Sequence, residues 1–131
     1  LAIDAIENRS MPSGYEVTTH GGRKKTNIDA LQWAKKGVKN GAGEILLTSM
    51  KSDGTKKGYN LKLTNLISKN VSVPVIASGG AGSPKDMVEV VLKAGASAVL
   101  AASIFHYGIH TIKSVKNEMS KNGILVRDCE N

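Results

Sequence analysis

Apolar residues along this chain fall into two recurring patterns. One is a compact run of four or five residues; the other is a stripe with helical spacing. Leu1 to Ala5 is a run of the first kind, with Asp4 near its end. Ile6 to Lys25 is polar and irregular, broken by Pro12, Gly14, Gly21 and Gly22, and the alternation in "YEVTTH" (15–20) predicts a small strand or hairpin there. A helix is predicted from Thr26. Thr26 or Asn27 would cap it, Asp29 suits its positive first turn, and Ile28, Leu31, Ala34 and Val38 recur at helical spacing up to a stop at Asn40-Gly41.

The pattern then repeats. "EILLT" (44–48) is a strand, followed by the long polar loop "SMKSDGTKKGY" and a helix capped by Asn60 that runs to about Asn70 with Leu63, Leu66 and Ile67 on one face. "VPVIAS" (73–78) is a third strand. Ser83-Pro84-Lys85-Asp86 reads as a capping box with proline at the first helical position, and the stripe of Met87, Val88, Val91 and Ala94 ends at Gly95. "SAVLA" (97–101) is a fourth strand. The last helix carries Ile112, Val115 and Met119 and closes at Asn122-Gly123.

Strand and helix alternate four times, and the strands read as apolar on both faces, as buried parallel strands do. "GAGEILLTS" (41–49) and "GASAVLAAS" (95–103) also align, 54 residues apart. That spacing corresponds to one strand-helix unit per 27 residues or so. Eight such units close a (β/α)8 barrel of roughly 200 to 250 residues. The expectation is therefore an α/β chain forming one (β/α)4 half-barrel over residues 1–131, a fragment of a barrel of about 250 residues. A complete flavodoxin-like domain of four units is the alternative. A four-stranded parallel sheet has two open edges and a bare face, which predicts pairing with a preceding half-barrel or self-association.

Composition narrows this little. Apolar residues make up 40% of the chain, no apolar run reaches membrane-span length, and the lone cysteine excludes an internal disulfide, so a cytoplasmic protein without membrane contact is expected. The chain opens on Leu1, already inside a strand, which predicts a longer parent polypeptide. The net charge of +7 permits nucleic acid, an anionic surface or phosphorylated small molecules. With scattered lysines and one Trp, three Tyr and one Phe there is no stacking platform, so nucleic acid is not expected.

Candidate chemistry gathers at the strand ends, where parallel α/β folds bind ligands. After the third strand comes "GGAG" (79–82). Gly79 and Gly80 let a backbone approach an oxygen-rich ligand and aim N–H groups at it, and the helix starting at Ser83 adds its positive end. Ala102 and Ser103 end the next strand, and a short turn through Ile104 and Phe105 completes a phosphate-binding arrangement. The competing reading is a tight turn. Asp4 is a carboxylate at the mouth end of an apolar strand, suited to acid-base work or to capping a loop. Asp53, beside Gly54, is either a second acid or a turn residue. Glu44 lies at the opposite strand end, where a charge needs a partner. His20, His106, His110 and Cys129 have no metal-ligand spacing, and no metal or cofactor is expected.

Taken together, "AIDA", "HGGRKKT", "GAGEILLTSM", "DGTKKGY", "PVIASGGAGS" and "VLAASIFH" resemble the C-terminal half of the cyclase subunits of imidazole glycerol phosphate synthases. The resemblance implies a (β/α)8 barrel of two similar halves. It implies ammonia supplied by a glutaminase subunit docked at the barrel's N-terminal face, and conversion of a bis-phosphorylated formimino-carboxamide ribonucleotide to imidazole glycerol phosphate and an aminoimidazole carboxamide ribonucleotide. By the same resemblance Asp4 is one of two catalytic aspartates, the other lying on the first strand of the barrel. Thr48, Ser49, Asp53 and Gly54 contact substrate. Gly79, Gly80, Ala102 and Ser103 cradle a phosphate, and Glu44 is a gate for ammonia. The isolated half would be inactive.

Four positions depart from the family pattern. Lys51-Ser52 replaces an acidic-then-basic pair, Asn27 a glycine and Asn60 an aspartate. Lys51 keeps a second reading open, a related ammonia-using subunit of surface-sugar biosynthesis. A third is a non-catalytic phosphate-binding half-barrel.

Overall fold

The computed structural model describes residues 1–127 and 129. The elements run β1 (Ala2–Glu7), β2 (Tyr15–Thr19), β3 (Lys24–Asp29), α1 (Ala30–Lys39), β4 (Ile45–Ser49), α2 (Leu61–Ser68), β5 (Val75–Ser78), α3 (Pro84–Ala94), β6 (Ala98–Val99), α4 (Ser103–His106) and α5 (Ile112–Lys121). They form one sheet in the order β3-β2-β1-β4-β5-β6. β1, β4, β5 and β6 are parallel neighbours in chain order, while β2 and β3 add an antiparallel hairpin to the far side of β1.

The parallel order never reverses. A flavodoxin-like sheet needs such a reversal, so the flavodoxin-like alternative fails, and the arrangement is that of half a (β/α)8 barrel. Burial alternates along the strands. Ile3 and Ala5, Ile45 and Leu47, Val75 and Ala77 are buried. They pack with Ala34, Leu63, Ile67, Met87 and Val90 of the helices in two adjoining clusters. Each large aliphatic side chain so buried contributes roughly 1.5–3 kcal/mol. The other face is not covered: Leu46 and Ile76 are half-buried and Ala98 is exposed. The expectation of strands buried on both faces is corrected here, because every helix that follows a strand returns to the same side.

The helices start where their caps allow. Asn60 accepts from the Leu63 N–H at 3.0 Å, and Ser83 and Asp86 form the anticipated capping box with Pro84 in the first turn. The first helix begins later than its pattern suggested. Thr26, Asn27 and Ile28 belong to β3, and Asp29 is the cap, accepting from Gln32 N at 3.0 Å. Burial pushes the Asp29 carboxyl up, but N–H groups of Gln32, Ser13 and Leu31 outweigh it and hold the acid below its ordinary range.

The displaced residues build a bulge. Pairing of β2 with β3 shifts register between Glu16 and Thr18. Asn27 sits at φ +58°, and the Thr26 hydroxyl donates to the Val17 carbonyl at 2.6 Å. The Glu16 carboxylate is wholly buried and closes the structure. It accepts from Asn8 Nδ2 at 2.7 Å and from Asn27 N at 2.8 Å. These two bonds, Asn8 first, hold its pKa below the ordinary 4.5. One carboxylate thus ties the loop after β1 to the left-handed turn in β3.

Two outcomes follow from the bulge. Asn27→Gly should leave the denaturant midpoint nearly unchanged, whereas Asn27→Val should cost roughly 1–2 kcal/mol, because a β-branched residue resists the left-handed region. Glu16 is stabilising in its charged form. That contribution is complete above its ordinary value of 4.5 and is lost as pH falls through its lower folded value. Stability measured against pH should therefore drop on the acid side of 4.5, and Glu16→Gln should flatten the start of that drop.

Candidate functional site

Strand register sets a row of polar groups on the uncovered face. Asp4 of β1 pairs with Thr48 of β4, and Thr48 pairs with Ser78 of β5. Registered neighbours in a parallel sheet point to the same side, about 4.8 Å apart. Below this row lies an apolar one, Ala2, Leu46, Ile76 and Ala98. Asp4, Thr48 and Ser78 are all half-buried. Among the described residues none of their side chains has a hydrogen-bond partner within the chain. A carboxylate flanked by two hydroxyl-bearing side chains at strand ends can exchange protons with a bound molecule.

Beside the row is a small cleft of about 40 Å³. Asp53 and Gly54 form one wall, Gly79 and Gly80 the floor, and Ala102 and Ser103 the other wall. The N–H groups of Gly79, Gly80, Ala102 and Ser103 donate to no acceptor within the chain among the described residues. Four unpartnered amides around a compact space suit a phosphate-sized anion. Ser103 opens α4, as the sequence led one to expect.

The glycines have a second cause. Gly79 and Gly80 lie at φ +88° and +108°. A Cβ on Gly79 would sit 2.7 Å from the Ser49 carbonyl oxygen, and one on Gly80 would collide with the Gly58 carbonyl. The β4–α2 loop rests on them, and Gly58 N donates to the Gly80 carbonyl at 2.8 Å. Tight backbone packing thus requires these glycines, while their amides stay unpartnered within the chain. The start of α3 makes a smaller contribution than expected. Its capping carboxylate, Asp86, takes the N–H groups of Gly82 and Ser83 at 2.9 and 2.8 Å.

The other expected residues divide. Ser49 is on the helix-covered face, buried, with its hydroxyl on Ser52 Oγ at 3.1 Å, so its side chain ties the loop. Asp53 is exposed on that loop and its backbone N–H donates to the Ser49 carbonyl at 3.0 Å. Glu44 precedes β4, exposed, at the end of the strand opposite Thr48. Lys51 lies 3.9 Å from Glu7, an exposed pair contributing roughly 0–1 kcal/mol.

Ser78 ends β5 directly before the glycine turn, and its register with Thr48 puts its side chain in the row. One residue beside the cleft stands outside the sequence-based set. Tyr59 anchors the loop from below, its hydroxyl donating to the Leu100 carbonyl at 2.9 Å. Burial first, and the nearby Asp86 carboxylate second, raise its pKa far above the ordinary phenol value, so it stays a donor.

Comparison with known proteins finds a family and close relatives in sequence. The sequence model of a family described as "Histidine biosynthesis protein" matches residues 1–111. The imidazole glycerol phosphate synthase subunit HisF of Bacillus subtilis (strain 168) is 57% identical over 127 residues, 97% of this chain and 50% of that protein. Proteins of the same name from Bifidobacterium longum (strain DJO10A) and Petrotoga mobilis are 52% and 55% identical, again across 97% of this chain and 50% of theirs. The chain spans about half the length of the curated relatives it matches. On the extent of that match, the chain belongs to the histidine biosynthesis protein family.

Proposed function

We propose that this chain is the C-terminal, active-site-bearing half of the cyclase subunit of an imidazole glycerol phosphate synthase. The observation that carries the reading is the adjacency of two features. An unpartnered carboxylate in the row Asp4, Thr48, Ser78 stands beside a cleft of unpartnered amides. One phosphate of a bis-phosphorylated formimino-carboxamide ribonucleotide occupies the cleft, held by Gly79, Gly80, Ala102 and Ser103 and flanked by Asp53 and Gly54. Held so, the substrate extends across the open face towards Asp4. Thr48 and Ser78 orient it, and Ser49 keeps the Asp53 loop in place. Asp4 moves protons during ring closure together with a second carboxylate from the preceding half of the barrel. The products are imidazole glycerol phosphate and an aminoimidazole carboxamide ribonucleotide. The proton transfers of ring closure require no cofactor.

Ammonia comes from a glutaminase subunit docked at the opposite end of the strands, where Glu44 acts as the gate. The preceding half-barrel, or a second copy of this one, covers the open face and the β6 edge. Leu100, Ile109, Ile112 and Leu125 are exposed near that edge, an apolar surface of the kind that proteins cover. The setting is the cytoplasm, and among the described residues no helix is long and apolar enough to cross a membrane. The surface-sugar reading rested on Lys51. Its pairing with Glu7 at the rim gives that charge a local role without a different substrate.

In the intact polypeptide that carries this chain, Asp4→Asn should lower ammonia-dependent cyclisation of the bis-phosphorylated substrate at least roughly a hundredfold while leaving KM within a few-fold. Unchanged turnover would remove Asp4 from the mechanism.

A further inference from the structure

The phosphate cleft has two walls on separate loops, and something must hold them at a fixed distance. Asp53 and Gly54 belong to the β4–α2 loop, which is exposed along most of its length. Ala102 and Ser103 belong to the start of α4. Two ties at the foot of the first loop are already described: Gly58 N on the Gly80 carbonyl and the Tyr59 hydroxyl on the Leu100 carbonyl. A third lies further along. The Lys56 ammonium sits 5.1 Å from the centroid of the Tyr107 ring, within cation–π range.

The setting of both residues is unusual for a chance surface contact. Lys56 adopts φ +57°, a left-handed backbone that non-glycine residues rarely adopt. Its carbonyl lies against Gly82, where a Cβ would collide with it. Tyr107 is 69% exposed, so core packing does not explain its position. Its N–H donates to the Ser103 carbonyl at 3.0 Å, which places it one turn beyond the cleft wall on the same short helix. The His106 ring stands against it edge to face, with centroids 5.1 Å apart. The pair therefore joins the loop that carries one wall to the helix that carries the other.

We propose that Tyr107 is a positioning residue. Through Lys56 it holds the Asp53–Gly54 wall against the Ala102–Ser103 wall and so sets the affinity of the cleft for a phosphate group. The claim rests on the cleft being the phosphate site. Tyr107 acts with its ring face, not its hydroxyl, and Lys56 acts as a clasp, not as a direct phosphate ligand.

Inorganic phosphate titrated into the intact protein, with backbone hydrogen exchange followed at Gly58, tests this. Tyr107→Leu keeps the lysine charge and removes the ring. It should weaken phosphate binding roughly two- to fivefold and speed Gly58 exchange by a similar factor, the size expected for an exposed cation–π contact. Tyr107→Phe should restore both to the parent values. An unchanged or tighter affinity in Tyr107→Leu, with the parent binding phosphate normally, overturns the clasp alone. Equal losses in Tyr107→Phe and Tyr107→Leu overturn it as well, because the hydroxyl would then be the active group. Absence of phosphate binding by the parent overturns the cleft assignment and the clasp with it. Tyr107 is exposed, so both variants should unfold at the parent temperature, and that measurement guards against a global effect.

Discussion

The parallel pairing of β1, β4 and β5 fixes which side chains share the uncovered face. A slip of one residue between any two of these strands would turn Asp4 or Thr48 towards the helices and bring a buried aliphatic to the open side. The pairing is strongly specified. Ile3, Leu47 and Ala77 must all point into the helix layer for the core to close, and their burial forces Asp4, Thr48 and Ser78 to the other side. The hydrophobic core and the polar row are therefore two faces of one register. The row needs no dedicated interaction to assemble it.

Loops supply the second half of the site, and their constraint is close backbone approach. The β4–α2 loop lies across the glycine turn after β5 with no room for a Cβ at Gly79 or Gly80. This contact brings Asp53 to the cleft, and the left-handed conformations there leave the turn's amides unpartnered within the chain. Capping behaves differently at the two candidate anion-binding ends. Asp86 closes the start of α3 with its own carboxylate, whereas α4 has no side-chain cap. The amides at Gly79, Gly80, Ala102 and Ser103 are therefore left without an acceptor in the chain, whereas those at the start of α3 are taken by Asp86.

Much of this was legible in the chain. Four apolar runs separated by capped helices specify an α/β fold, and the cap at Asn60, the capping box at Ser83 and the turn at Ser103 stand where the sequence puts them. β3 was not legible. Its residues are polar apart from Ile28, and Thr26 and Asn27 are as good a helix cap as a strand bulge by residue type. What decides between them is Glu16, eleven residues away, whose buried carboxylate takes the Asn27 N–H. A long-range bond of that kind leaves no periodic trace. The same bond explains why asparagine serves at position 27: the position requires a positive φ, and asparagine tolerates it best after glycine. Asn60 caps α2 as an aspartate would, because both residues cap a helix well. The same register turns the Ser78 side chain to the open face and the Ser49 side chain inward to Ser52.

The central claim is that the bare amides between the glycine turn and α4 hold a phosphate beside the Asp4 row. Amide chemical shifts of the intact protein, followed during titration with inorganic phosphate, test it most directly. The account predicts that the N–H signals of Gly79, Gly80, Ala102 and Ser103 move together and saturate with one dissociation constant. Saturable shifts confined to other amides, with these four unmoved, would contradict it.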